Sequence, residues 1–244
     1  VKLWNRQGKL LQTLTGHENS VNGIAFSPNG ETIASASADN TVKLWNAQGK
    51  LLQTLTSHKN WVEAVVFSPD GETIATAGRD NTVKLWNSQG KLLQTLNDHN
   101  NWVIDIVFSP DGETIASASA DNTVKLWDHH GKLLQTLAGH ENSVEAVVFS
   151  PDGETIATAS ADNTVKLWNR HGKLLHNLTG HQHSVVAVAF SPDGETISSA
   201  SWDHTVKLWN RQGKLLQTLT GHDDSVNGIA FSPDGETIAT ASAD

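Results

Sequence analysis

The sequence predicts an all-β chain in which one sheet-forming unit is repeated six times. Three observations carry this: a fixed period, a hairpin-turn signal in every period, and short apolar runs without helical spacing. The tetrapeptide Val-Lys-Leu-Trp ends at Trp4, Trp45, Trp86, Trp127, Trp168 and Trp209, so each interval is 41 residues. A fixed period of this size marks solenoids, propellers and arrays and is read before any local motif. The turn signal is Ser-Pro-Asp-Gly-Glu-Thr, present five times, with Asn29 replacing the Asp in a sixth copy at Ser27 to Thr32. Pro presets φ, Asp or Asn bonds back to the backbone, and Gly accepts positive φ, which together make a hairpin turn.

Each element of the unit follows in order. Ser20 to Phe26 is a short, mostly apolar run, as expected of an inner strand covered on both faces. After the turn, Thr32 to Ser37 is a second strand whose small side chains allow a neighbouring sheet to approach closely. Ala38 to Asn40 turns into Thr41 to Trp45, a β-branched and aromatic third strand, and Lys50 to Leu55 is the fourth. Four short antiparallel strands cannot bury a core alone, but stacked units can. No linker or low-complexity tail interrupts the 244 residues, so one domain is expected over 1–244.

Composition narrows function. Seventeen Lys and Arg against 26 Asp and Glu leave a net charge of −9, which argues against loose binding to phosphate backbones, so no nucleic acid is expected. Cysteine is absent, which excludes disulfides and thiol catalysis. No apolar run approaches the roughly 20 residues that span a bilayer, so no membrane is expected; no signal-like segment opens the chain, which favours the cytoplasm. Methionine is absent too, so the chain reads as a processed, excised or trimmed piece.

Gly16-His17 before the first strand and the stretch Ser37 to Asn46 at its far end resemble the WD40 repeat, and the likeness recurs six times. The closing Trp-Asp pair is mostly Trp-Asn, with Trp127-Asp128 the one literal case at that position. The resemblance implies a β-propeller of four-stranded blades around a central channel. With the phasing of the chain, it places the two inner strands of the last blade in Ser225 to Asp244 and its two outer strands in Val1 to Thr15. Six repeats that close alone, a cut from a longer array, and completion by another copy all fit, so a monomer or a self-completing oligomer is expected.

His17, Ser37 and Asp39 invite a search for nucleophilic catalysis. The resemblance implies instead a buried hydrogen-bond chain ending on the indole of Trp45, which would satisfy groups that are costly to bury. The set recurs as His99, Ser119, Asp121 and Trp127, as His140, Ser160, Asp162 and Trp168, and as His181, Ser201, Asp203 and Trp209. Across the junction it recurs as His222, Ser242, Asp244 and Trp4. Blade two keeps His58, Asp80 and Trp86 but has Gly78 in place of serine; either a water or Thr76 replaces that hydroxyl, or the blade is weaker. Sixfold repetition suits a structural clamp and not a catalyst, so no enzyme activity, no catalytic residue and no cofactor is expected.

Differences among the copies concentrate at the third and fifth residues after the His and at the residue before the turn Asp. Blade two has Trp61, Glu63 and Arg79; blade three has Trp102 and Ile104, with Asp105 beside it; blade four has Glu145; blade five has Trp202. Antiparallel order brings these offsets to one end of each blade, the face on which the resemblance places partner contacts. Of the nine tryptophans, the three outside the Val-Lys-Leu-Trp motif all fall in this set. Tryptophan and arginine are the residues most enriched in binding hot spots. A non-catalytic scaffold that binds a protein or peptide is therefore expected, with Glu63, Glu145 and Asp105 favouring basic groups. The alternative is a structural or engineered symmetric propeller without a specific ligand, which the near-identity of the copies also fits. His129, His130 and His171 lie in turns after strand three, but no carboxylate pattern marks a metal site and no metal is expected. The lysines of the Val-Lys-Leu-Trp motif are expected at blade edges, keeping outer strands soluble, and Arg6, Arg170 and Arg211 on a solvated rim.

Overall fold

The computed structural model describes all 244 residues and contains 24 β-strands and no helix. The chain divides into two compact units, Val1–Phe108 and Ser109–Asp244. The first unit holds β1 (Lys2–Trp4), β2 (Leu10–Thr13), β3 (Val21–Phe26), β4 (Thr32–Ser37), β5 (Val42–Asn46) and β6 (Leu51–Leu55). It continues with β7 (Val62–Phe67), β8 (Thr73–Gly78), β9 (Val83–Asn87), β10 (Leu92–Leu96) and β11 (Val103–Phe108). The second holds β12 (Thr114–Ser119), β13 (Thr123–Asp128), β14 (Leu133–Ala138), β15 (Val144–Phe149), β16 (Thr155–Ser160), β17 (Val165–Asn169) and β18 (Leu174–Leu178). It ends with β19 (Val185–Phe190), β20 (Thr196–Ser201), β21 (Val206–Asn210), β22 (Leu215–Leu219), β23 (Val226–Phe231) and β24 (Ile238–Ser242).

Within the units, β3 to β6, β7 to β10, β15 to β18 and β19 to β22 are complete four-stranded antiparallel sheets in sequence order. The hairpin turns enforce that order. In the turn after β15, Gly153 N–H donates to Ser150 O (2.8 Å) and Glu154 N–H to Asp152 Oδ1 (3.0 Å), with Gly153 at φ +72°. The next turn puts Asn163 at φ 68°, in the left-handed region that asparagine tolerates better than most residues. All-β architecture and the strand-by-strand reading are thus as expected.

Packing explains the small residues of the second strand. In the first unit Ala34 and Ala36 of β4 share a buried cluster with Val62 and Val65 of β7, from the next blade. In the second unit Ala157 and Ala159 of β16 meet Val185 and Val188 of β19 in the same way. Approach is so close that a Cβ built on Gly23 would lie 2.9 Å from the carbonyl oxygen of Glu63. Each buried Val or Leu contributes about 1.5–3 kcal/mol, so stability comes from the interfaces between blades.

The expectation for the motif lysines is corrected at four of the six, while Lys43 is half-buried and Lys2 exposed. Lys84, Lys125, Lys166 and Lys207 are buried, because the third strand lies inside its blade between the second and the fourth. Their stems run along the sheet, and Nζ of Lys84, Lys125 and Lys207 donates to Thr95, Thr136 and Thr218 at 3.0–3.3 Å. Desolvation lowers the pKa of Lys84.

The chain ends form half-blades. β1 pairs with β2, and Val1, Leu3 and Leu14 pack on Ile33 and Trp45, while Trp4 stays 55 % exposed. In the second unit β23 pairs with β24, and Val226 packs on Ala200 and Val206.

Candidate functional site

The repeated polar set is a chain of hydrogen bonds with one direction. In blade four the Trp168 indole donates to Thr158 Oγ1 (3.0 Å), Thr158 Oγ1 lies 2.7 Å from His140 Nε2, and His140 Nδ1 lies 2.7 Å from Asp162 Oδ2. An indole N–H only donates and a carboxylate only accepts, so the proton of a neutral His140 sits on Nδ1 and the threonine hydroxyl donates to Nε2. His181, Ser199, Asp203 and Trp209 repeat the arrangement at 2.7, 2.8 and 2.9 Å. His17, Ser35, Asp39 and Trp45 do the same in the first unit, as do His58, Thr76, Asp80 and Trp86.

The hydroxyl in this chain is not the one expected. Ser37, Ser119, Ser160 and Ser201 lie two residues too far along the strand; the indole of Trp45 stands opposite Ile33, within reach of Ser35 but not of Ser37. Ser160 Oγ instead accepts from Asp162 N–H (3.0 Å) and donates to Asn142 O (3.1 Å), pinning the loop. Ser242 Oγ likewise donates to Asp224 O. The acceptor position reads Ser35, Thr76, Ser117, Thr158, Ser199 and Thr240, a hydroxyl in all six copies, whereas the serine position lapses to Gly78 in one. That regularity was the available signal. In the second unit Trp127 donates to Ser117 (2.9 Å), and His222 binds Thr240 (2.8 Å) and Asp244 (3.0 Å); His99 is buried in the first unit.

Burial opposes ionisation of these aspartates, but the bonds from His, Thr and backbone N–H outweigh it. The carboxyls of Asp39, Asp80 and Asp162 are held well below the ordinary range, and Asp203 at about 2. Burial lowers the pKa of His181, against the pull of Asp203. The hydroxyls of Ser35, Thr76, Thr158 and Ser199 are fully enclosed, which suits a clamp and offers a substrate no approach.

Blade two uses Thr76, the same strand position that serves the other blades, so no substitute for the missing serine is needed. A Cβ on Gly78 would sit 2.6 Å from His58 Nδ1, which has slid to share both oxygens of Asp80 (3.0 and 2.9 Å). Ser37, Ser160, Ser201 and Ser242 stand there in sister blades whose rings, His17, His140, His181 and His222, bind Oδ2 alone. Gly78→Ser is therefore expected to return His58 to the sister geometry and to stabilise the chain by about 0.5–1 kcal/mol, through lost chain entropy and two loop bonds. A lower urea midpoint for the variant would refute this.

The positions that differ among blades converge in the first unit. Trp61 precedes β7, Arg79 follows β8 and Trp102 precedes β11. The guanidinium of Arg79 lies between the two indoles, 4.3 Å from the Trp61 ring centroid and 4.4 Å from that of Trp102. Its Nε donates to the carboxylate of Glu63, which stands on β7. Asn60 and Asn101 hold the loop entries by accepting from the N–H of Trp61 and Trp102 at 2.8 and 2.9 Å. Trp61 and Trp102 remain 41 % and 43 % exposed. Ile104 and Asp105 are half-buried on β11, where Asp105 Oδ1 accepts from Ile106 N–H (2.9 Å). The Arg79 sandwich was not read from the sequence, because it needs the reach of one blade's turn to the start of the next. In the second unit Trp202, 49 % exposed, makes the same reach: its indole donates to Asn227 Oδ1 (3.1 Å). Glu145 is half-buried on β15.

The turn residues on the other side of the strands make local contacts. His129 Nδ1 lies 3.2 Å from Glu113, and its ring is 3.9 Å from that of His130. Arg211 pairs with Asp152 (2.8 Å), and Arg170 with Glu154 (3.2 Å).

Comparison with known proteins agrees with this geometry. The WD domain, G-beta repeat profile matches residues 8–46, 49–87 and 213–244, and the profile of the IFT122 first beta-propeller matches 102–212. Among curated relatives, the nuclear distribution protein nudF of Aspergillus terreus is 43% identical over 42 residues, 17% of this chain and 9% of its own length. The nudF protein of Emericella nidulans is 45% identical over 42 residues, 17% of this chain and 10% of its own. The nuclear distribution protein PAC1 of Tuber melanosporum is 45% identical over 42 residues, 17% and 9% of the two lengths. Each alignment is one repeat long and spans about a tenth of the relative. Repeat profiles, four-stranded antiparallel sheets and the buried Trp–hydroxyl–His–Asp chain agree: this protein belongs to the WD40-repeat β-propeller family.

Proposed function

We propose that the chain is a non-catalytic module that binds a protein or peptide through the Trp61, Arg79 and Trp102 site, with Glu63, Ile104 and Asp105 at its base. Glu145 and Trp202 mark the corresponding positions of the second unit. The observation that carries this reading is the stack itself: two indoles, each more than two-fifths exposed, are held in fixed orientation by a cation between them. Rigid, exposed aromatic surface loses little entropy on binding and is what interface hot spots are made of. WD40 propellers generally serve as protein-interaction scaffolds, which supports the same reading. The test is a paired capture from one extract. One bait is this chain, the other carries Trp61→Ser, Trp102→Ser and Trp202→Ala, the residues that sister blades use. With both baits equally folded by circular dichroism, a protein bound by the first is expected to be lost from the second. Identical captures would overturn the assignment.

A further inference from the structure

We propose that Arg79 receives a single peptide carboxylate end-on, between the walls formed by Trp61 and Trp102; this rests on the peptide-binding reading above. Both indoles and one carboxylate already engage the guanidinium. The indoles cover both faces, and Nε–H is donated to Glu63. Nη1 and Nη2 have no protein partner, although the side chain is only 29 % exposed. A cation so enclosed leaves in-plane N–H groups on its outer edge, and two parallel N–H donors match the two oxygens of a carboxylate.

The surroundings select the charge of the ligand. A basic ligand would have to displace Arg79 from the aromatic slot, and Glu63, the carboxylate to draw it there, is already paired with Arg79. A phosphate carries about −1.5 to −2 charges and would meet Glu63 at close quarters on a chain of net charge −9; a carboxylate brings one. Glu63 acts as a positioning residue, fixing the plane of the guanidinium so that the outer edge points away from β7. The exposed indole edges then contact the apolar atoms that flank the ligand's carboxylate. Arg79 is the only arginine at this turn position; the other copies carry Ala38, Ala120, Ala161, Trp202 and Ala243, so one such site exists per chain.

The test follows the indole N–H and Arg79 Nε–H signals of the full chain by NMR during titration with short peptides. Acetyl-Leu-Glu-Leu-amide is expected to move the Trp61, Trp102 and Arg79 signals saturably. Acetyl-Leu-Gln-Leu-amide, which differs only in the charge and acceptor set, is expected to bind at least tenfold more weakly. Acetyl-Leu-Leu-Leu with a free C-terminus tells a terminal carboxylate from a side-chain one, and tight binding of either supports the proposal. Arg79→Lys keeps the charge but loses the planar fork, and is expected to weaken the Glu peptide at least tenfold while the thermal midpoint holds. Equal binding of the Glu and Gln peptides, tighter binding of acetyl-Leu-phosphoserine-Leu-amide, or no response to any carboxylate peptide overturns the assignment. If the capture experiment loses its partner with the tryptophan variant while Glu and Gln peptides behave alike, the carboxylate fails and the interaction module stands.

Discussion

Replacing Asp162 by alanine is expected to destabilise the protein by about 3–5 kcal/mol, because it strands several donors in a buried site at once. Asp162 accepts from His140 Nδ1 (2.7 Å), Glu141 N–H (3.0 Å), Thr164 N–H (2.9 Å) and Thr164 Oγ1 (2.7 Å), with its side chain 7% exposed. Without the carboxylate, His140 loses the partner that fixes its tautomer, and Thr158 loses a defined acceptor. The same argument ranks two hydroxyls that look alike in sequence. Thr158→Val keeps the shape but orphans the Trp168 indole and His140 Nε2, an expected loss of about 2–4 kcal/mol. Ser160→Ala removes only the loop bonds to Asp162 N–H and Asn142 O, an expected loss of about 1 kcal/mol. Urea midpoints at constant slope measure all three. If Ser160→Ala costs more than Thr158→Val, the indole's partner has been misassigned.

Most of the fold was legible because its causes are local. A turn such as Ser150 to Thr155 is specified by its own residues, and the spacing of Trp45, Trp86 and their sisters counts the units directly. What the sequence concealed was geometry across strands. Ser35 and Ser37 differ by one strand repeat and share a face, so composition cannot say which one an indole reaches; the register opposite Trp45 decides. The motif lysines look like edge residues until the third strand is seen to have a neighbour on each side. At the candidate site, Trp61, Glu63, Arg79 and Trp102 were all found as departures from the repeat. Their pairing was not, and it reverses part of the electrostatic expectation: Glu63 does not wait for a basic partner but is neutralised by Arg79. Variation within a repeat array picks out candidate positions, whereas the contacts between adjacent blades determine what chemistry they can offer.

Acid is expected to destabilise the protein steeply below about pH 4, through carboxyls that bind protons less readily when folded. The folded-state pKa values of Asp39, Asp80, Asp162 and Asp203 all lie below the ordinary value of about 3.9, Asp203 at about 2, so the unfolded chain binds protons first as pH falls. For a depressed carboxyl the stabilisation is fully present above its unfolded pKa and is lost as pH drops through the folded one. His181 acts in the same direction from a higher pH: its folded pKa is below 6.5, so protonation of the unfolded chain draws on stability from that point downward. Allowing for solvent screening, each aspartate is worth about 1 kcal/mol, or about 4 kcal/mol for the four. Relief of self-repulsion opposes the loss at first, since the net charge of −9 shrinks to zero near pH 5.7; below that the charge turns positive and repulsion grows again. The urea midpoint is therefore expected to change little from pH 7 to pH 5 and to fall steeply from about pH 4 to pH 2, where the two terms act together. A midpoint that stays level to pH 3 would mean that the hydrogen bonds to these four carboxylates persist in the unfolded chain or contribute nothing. In Asp162→Ala the same fall should be shallower, because one of the four groups that drive it is gone.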